Sequence, residues 1–202
     1  MRAKSHVVEL GPGRATVLDL APGLAGEADR VGAEIARLDP GALAVDLDLA
    51  TCGALAARRP AVPWLLQAAC EAVQRGAPGE DPLLAYRACA KRAREKDVPL
   101  VPLLPADDAG FLLRWRARRA LARAPLPSTV PDGRLLDLRH AMEAMPELAL
   151  RLRREEIEAA RRLARLCVAE QRPRVVALMA YPRSLRVCGL AVEEAAKLLG
   201  HG

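Results

Sequence analysis

The order in which apolar and polar residues follow one another divides this chain into short strands and amphipathic helices. Residues 6–10 and 15–20 are β-prone runs on either side of Gly11-Pro12-Gly13-Arg14, a turn-forming cluster, and together they predict a hairpin. Past Ala21-Pro22-Gly23, the residues Leu24, Ala28, Val31, Ile35 and Leu38 recur at three- and four-residue spacing, which predicts a helix over 24–38. Asp39-Pro40-Gly41 should end it, with the glycine supplying a left-handed cap or a turn. The stretch ALAVDLDL over 42–49 alternates, so it predicts a strand carrying Asp46 and Asp48 on one face. Strand, helix, strand implies a parallel crossover.

Residues 50–77 read as helical but broken by Pro60 and Pro63, and Ala77-Pro78-Gly79 precedes a helix over about 81–96. VPLVPLL at 98–104 suits a strand near a sheet edge, because its prolines cannot donate to a ladder. Asp107-Asp108 occupy an N-cap position ahead of FLLRWRARRALAR, a helix in which Phe111 and Trp115 are spaced as core anchors. A proline-rich loop at 125–133 leads to a helical pattern from Leu135, broken near Pro146. The longest helix is expected over 147–170, with one apolar stripe and an Arg/Glu outer face. RVVALMA at 174–180 reads as a strand buried on both faces, and a last helix is expected over about 190–199.

The fold class that follows is α/β: a mixed central sheet with an N-terminal β-hairpin and parallel crossover strands, flanked by helices. A chain of 202 residues with 51% apolar content suffices for a single domain over 1–202, with 50–97 as a helical insertion and 124–171 as a helical segment. Aromatics make up only 2%, so the core must be built from aliphatic side chains and a stacking platform for nucleic acid is disfavoured. The net charge of +6 comes from arginines interleaved with acids, the pattern of a solvated, salt-bridged surface. Five widely spaced cysteines without a CxxC pair read as reduced core thiols. With neither a leader-like N-terminus nor a run of about 18 apolar residues, no membrane span is expected and the default location is cytoplasmic.

Self-sufficient chemistry is sparse. Gly11-Pro12-Gly13 lacks the Lys-Ser/Thr ending and the following helix of a phosphate loop. His6, His140 and His201 are too scattered for metal ligation, and Ser5, Ser128 and Ser184 have no nucleophile-elbow context. Asp46 and Asp48 at a strand end could hold a cation or act as acid and base; the alternative is an exposed strand face. Asp107-Asp108 with Arg114 could brace a strand-to-helix corner, or simply cap the helix.

The order of segments resembles the TraB/PrgY/GumN family, related to the Tiki and ChaN/erythromycin-esterase-like proteins, along nearly the whole chain. The stretches that carry the resemblance are VLDLAPGLAGEADRVGAEIARLDPGALAVDLD, VPLVPLLPADDAGFLLRWR, and RREEIEAARRLARL followed by RVVALMAYPRSL. Overlaid, the strand-end glutamate of the family falls on Asp46, its first histidine on Pro22, the arginine a few residues past the glutamate near Thr51, and its second histidine on Pro182 or Arg183. Asp108 and Arg114 match the middle segment, and the family's Glu-Arg pair appears reversed as Arg154-Glu155. The family's metallohydrolase chemistry relies on those histidines and glutamates, and proline offers a metal no donor.

The resemblance therefore implies a degenerate, non-catalytic TraB-like domain that binds a small molecule or protein partner in a strand-end crevice formed by Pro22, Gly23, Asp46, Asp48, Asp108, Arg114 and Arg183, with no metal ligands. Substituting Asp46 and Arg183 is expected to abolish binding and leave the fold intact. The rival readings are a metal-dependent hydrolase or peptidase using Asp46, Asp48 and Asp108 as catalytic groups on a divalent cation, and a basic module for nucleic acid or an acidic protein. Nucleic acid ranks last among partners; no cofactor is expected beyond such a cation, and a homodimer is left open.

Overall fold

The computed structural model describes residues 5–55, 62–74, 78–170 and 174–200; Pro60, Ala77 and His201 of the sequence reading lie outside them. A hairpin of β1 (Ser5–Leu10) and β2 (Gly13–Leu20) opens the chain, followed by α1 (Glu27–Leu38) and β3 (Ala42–Val45). Three helices come next, α2 (Leu49–Ala54), α3 (Trp64–Gln74) and α4 (Leu84–Lys96), before the short strand β4 (Leu100–Pro102). The second half runs α5 (Phe111–Arg123), α6 (Pro131–Glu143), α7 (Pro146–Val168), β5 (Arg174–Ala180) and α8 (Arg183–Leu198). The strands form one mixed sheet in the order β1-β2-β5-β3-β4, antiparallel within the hairpin and parallel elsewhere. This is the α/β class expected, with proline-bearing β4 at the edge.

Both faces of the sheet are covered, which explains why β5 reads as an unbroken apolar run. Val175, Ala177 and Met179 face a core shared with Ala159, Leu163 and Ala164 of α7 and Val187, Ala191 and Ala195 of α8. Val176 and Leu178 face the opposite core, where Val31 and Ile35 of α1 meet Tyr86, Cys89 and Ala93 of α4. A third cluster, Trp64, Ala117, Leu121, Leu138, Met142, Leu148 and Leu152, joins α3, α5, α6 and α7. β5 lies between β2 and β3, so the strand-helix-strand unit that opens the chain does not join sheet neighbours.

Several boundaries differ from the sequence reading for identifiable reasons. The strand expected over 42–49 stops at Val45, and Asp48 accepts a hydrogen bond from Thr51 N (2.8 Å) as N-cap of α2, so Asp46 and Asp48 do not share a strand face. The left-handed cap expected of Gly41 is taken by Asp39 (φ 44°). Helix α5 is capped by Gly110 rather than the aspartates; Asp107 Oδ1 accepts from Ala109 N instead. Its buried residues are Ala117 and Leu121, while Phe111 and Trp115 are exposed and anchor no core. Helix α8 begins at Arg183, earlier than expected, because Ser184, Val187, Ala191 and Ala195 form a buried stripe against α7.

All five cysteines are free thiols; Cys70, Cys89 and Cys167 are buried, Cys52 and Cys188 half-buried. Burial pushes Cys89 up to about 12 and Cys167 and Cys188 to about 11. Such thiols stay protonated near neutrality and are poor nucleophiles and metal ligands.

Candidate functional site at the strand ends

In open α/β sheets, a crevice forms beyond the carboxyl ends of the parallel strands where neighbouring connections diverge. Strands β2, β5, β3 and β4 are parallel and end on one edge, where the chain leaves β3 at Asp46 and β5 at Ala180. Helices α3, α6 and α7 close over this edge and leave a partly enclosed cavity of about 110 Å³. By that measure of volume a water needs roughly 10–15 Å³, so the space accepts several waters or a compact organic group. Its wall is apolar, with Trp64 and Leu66 from α3, Leu138 and Met142 from α6, and Leu152 from α7.

The floor is a chain of charges that is buried at Asp46 and Glu155 and reaches solvent at Asp108 and Arg154. Asp46 accepts from Ala180 N at Oδ2 (2.9 Å) and from the Tyr86 hydroxyl at Oδ1 (2.7 Å). Arg183 Nη1 stands 3.6 Å from Asp46 Oδ2, while its Nη2 donates to Glu155 Oε2 at 2.8 Å. Arg151 Nε lies 2.8 Å from Glu155 Oε1, aligned as an ion pair rather than a hydrogen bond. Arg151 then donates to Asp107 (2.6 Å) and Asp108 (2.8 Å), and Arg154 to Asp108 (2.7 Å). Beside this line, buried Glu156 accepts from Arg139 (2.5 Å), which also donates to Glu143 (2.8 Å).

Burial is the dominant influence on Asp46 and raises its carboxyl above the ordinary value of 3.8, against the opposing charge of Arg183. Arg183 is raised as well, which for a guanidinium favours the charged form: burial disfavours its charge, but Glu155 and then Asp46 more than offset this. The two shifts are compatible because Glu155, at hydrogen-bond distance, is the principal counterion of Arg183, leaving Asp46 as the group that takes a proton. Tyr86 is raised well above its usual range by burial and by Asp46, so its hydroxyl remains a donor.

A folded-state pKa above the unfolded one means that protonation favours the folded form. The contribution of Asp46 is therefore complete below about 3.8 and is lost as pH rises through the raised folded value. Denaturant unfolding of the protein and of Asp46→Asn across acidic to neutral pH should show the parent losing stability relative to the variant as pH rises. A difference that grows in the parent's favour would contradict the placement of Asp46.

Of the residues singled out in the sequence, Asp46, Asp48 and Arg183 line the crevice, together with Pro182. Pro22, Gly23, Asp108 and Arg114 do not. Gly23 instead accepts hydrogen bonds from Gln74 Nε2 and Glu80 N at the turn into α1. Asp108 is exposed and paired with Arg151 and Arg154, and Arg114 pairs with Asp107 (3.2 Å). Tyr86, Arg139 and Arg151 line the crevice without having been singled out, and so does Glu155, which the overlay matched to the family's Glu-Arg pair but did not place in the crevice. A signal for Glu155 existed: it continues the stripe of Leu148, Leu152 and Ala159 that α7 buries, and an acid in phase with an apolar stripe needs a partner.

No protein-family model, curated protein or solved structure matches this chain. The donor set does not suit a metal: among the described residues no group of three His, Cys, Asp or Glu side chains could hold one. Asp46, Asp48 and Asp108 are committed respectively to Tyr86 and Ala180, to the α2 cap, and to two arginines, and do not converge. Among the described residues no helix is long and apolar enough to cross a membrane.

Proposed function

We propose that this chain is a TraB-like domain that works by binding rather than by metal-assisted hydrolysis, and that it holds a small organic ligand in the strand-end crevice. The observation that carries this reading is the pairing of an apolar wall with a fixed polar floor, the usual composition of a small-molecule site. The ligand of choice has an apolar body against Trp64, Leu138 and Met142 and a polar end at Asp46, Arg183 and Glu155. The cations of the floor already have carboxylate partners, so a neutral polar end suits it better than a free anion. Pro182 or Arg183, which line the crevice where TraB-like proteins carry their second histidine, agree with a site that gave up metal chemistry.

A second reading is favoured by the raised carboxyl of Asp46, which could pass a proton to a bound molecule. Turnover of a ligand that disappears in Asp46→Asn, while binding persists, would select it.

Ala69 on α3 lines the crevice and is only half-buried. The Ala69→Phe variant places a ring in the cavity without touching the ionic floor. In a thermal-shift screen of small amphipathic compounds, a compound at about a hundredfold its Kd stabilises the parent by roughly 2.7 kcal/mol. Ala69→Phe should keep its own cooperative melt and lose that response. A response equal to the parent's would place the ligand elsewhere.

A further inference from the structure

We propose that the outer face of α5 docks on an anionic lipid surface. Three large apolar side chains of this helix face solvent: Phe111 is 79% exposed, Leu112 69% and Trp115 49%. Phe111 is the single phenylalanine of the chain and Trp115 one of its two tryptophans, so a protein poor in aromatic residues spends two of them on water. The core holds the helix only through Ala117, Leu121 and, in part, Leu113. At 3.6 residues per turn, Phe111, Trp115 and Leu112 fall opposite Ala117 and Leu121 as one strip.

Arginines border that strip on both sides, with Arg118 along one edge and Arg116 and Arg123 along the other, and Arg119 falls within it between Trp115 and Leu112. The segment 111–123 contains five arginines and no acidic residue. Arg114 is taken up by Asp107 and Arg118 by Gln67, whereas the ion pairs among the described residues leave Arg116, Arg119 and Arg123 to solvent. Arg119 lies over the Trp115 ring at 5.5 Å from its centroid, which keeps cation and aromatic on the same exposed face.

Charge complementarity selects the occupant. Two copies of an acid-free, arginine-bordered face repel each other, so self-association through it is opposed. A bare phosphate polymer would satisfy the arginines but leave Leu112 in water. An anionic bilayer satisfies both: aromatic and leucine side chains enter the boundary between headgroups and acyl chains, and arginines on either side meet the phosphates. The helix lies in the plane of the interface and spans nothing.

Co-flotation with phosphatidylcholine/phosphatidylserine vesicles tests this, with pure phosphatidylcholine vesicles and a duplex oligonucleotide as controls. The expected result is binding to the mixed vesicles that weakens with salt and is far weaker on pure phosphatidylcholine. Arg116→Gln/Arg119→Gln/Arg123→Gln should lower the apparent affinity by roughly fivefold per arginine, on the order of a hundredfold together. Phe111→Ser/Leu112→Ser/Trp115→Ser should abolish flotation with unchanged circular dichroism, because those side chains lie outside the core. The proposal is overturned by no flotation at low ionic strength or by a serine variant that floats as the parent does. Tighter binding to the oligonucleotide than to the mixed vesicles also overturns it, as does a dimer that the serine variant dissolves.

Discussion

Replacing Arg183 by methionine is expected to destabilise the protein by about 3 kcal/mol, the lower end of the roughly 3–5 kcal/mol seen when one partner of a buried ion pair is removed. Arg183 is the cation between two buried carboxylates, donating to Glu155 at 2.8 Å and standing 3.6 Å from Asp46. Without it both carboxylates stay in a low-dielectric site, but each has a way out: Glu155 retains Arg151, and Asp46 can take a proton. For a chain of this length the loss corresponds to a fall in Tm of roughly 6–12 °C. Denaturant unfolding should show a lower midpoint with an unchanged slope. The Arg183→Met/Glu155→Gln double variant should be less destabilised than the sum of the two single variants, since each removes the group that leaves the other unpaired. A loss under about 1 kcal/mol, the range of a surface pair, would mean that water reaches the floor of the crevice.

This expectation changes how the site can be probed. Read from sequence, Asp46 and Arg183 are crevice-lining groups whose substitution costs binding and leaves the fold intact. Their burial ties them to the fold, so loss of binding in either variant cannot separate a ligand contact from a weakened floor. Ala69, on the apolar wall, is the better probe.

What the sequence made legible is set by the range of the physics behind it. The strip RVVALMA reveals a doubly buried strand because periodicity and β-branching are local properties of seven residues. The hairpin, α1 and the long α7 are legible for the same reason. The position of β5 between β2 and β3 is not, since nothing local states which strand a distant segment will join. Asp46 is legible because it sits at a strand end, where a site in an open sheet is expected, and Arg183 only through the overlay that sets it or Pro182 on the family's second histidine. Tyr86, and the place of Glu155 in the crevice, are not legible because these residues come from α4 and α7 and meet Asp46 and Arg183 only through tertiary packing. Phe111 and Trp115 misled in the opposite sense: a four-residue spacing of aromatics fits a core stripe, but α5 turns its alanine-leucine face inward and shows the aromatics to solvent.

Gly23→Ala is the second substitution expected to have a large effect, and the reason is steric rather than electrostatic. Gly23 has φ 76°, where a residue with a Cβ loses roughly 1–2 kcal/mol. A Cβ at this point would also run into Cys70 Sγ, lie 2.8 Å from Gln74 Nε2 and come within 3.2 Å of the Glu80 carbonyl oxygen. The side chain of Gln74 cannot swing away freely, because it donates to both the Gly23 and the Glu80 carbonyl oxygens (3.0 and 2.9 Å). Overpacking of this kind typically adds about 1–3 kcal/mol, so a total of about 2–5 kcal/mol is expected. Gly26 supplies the control within the same turn: its φ is 83°, yet a Cβ there meets nothing within 4 Å. Gly26→Ala should therefore show the backbone cost alone, and the difference between the two variants in denaturant unfolding isolates the clash. Equal losses would mean that α3 yields to Gly23→Ala, and that the turn between β2 and α1 is less firmly seated on α3 than the Gln74 hydrogen bonds imply.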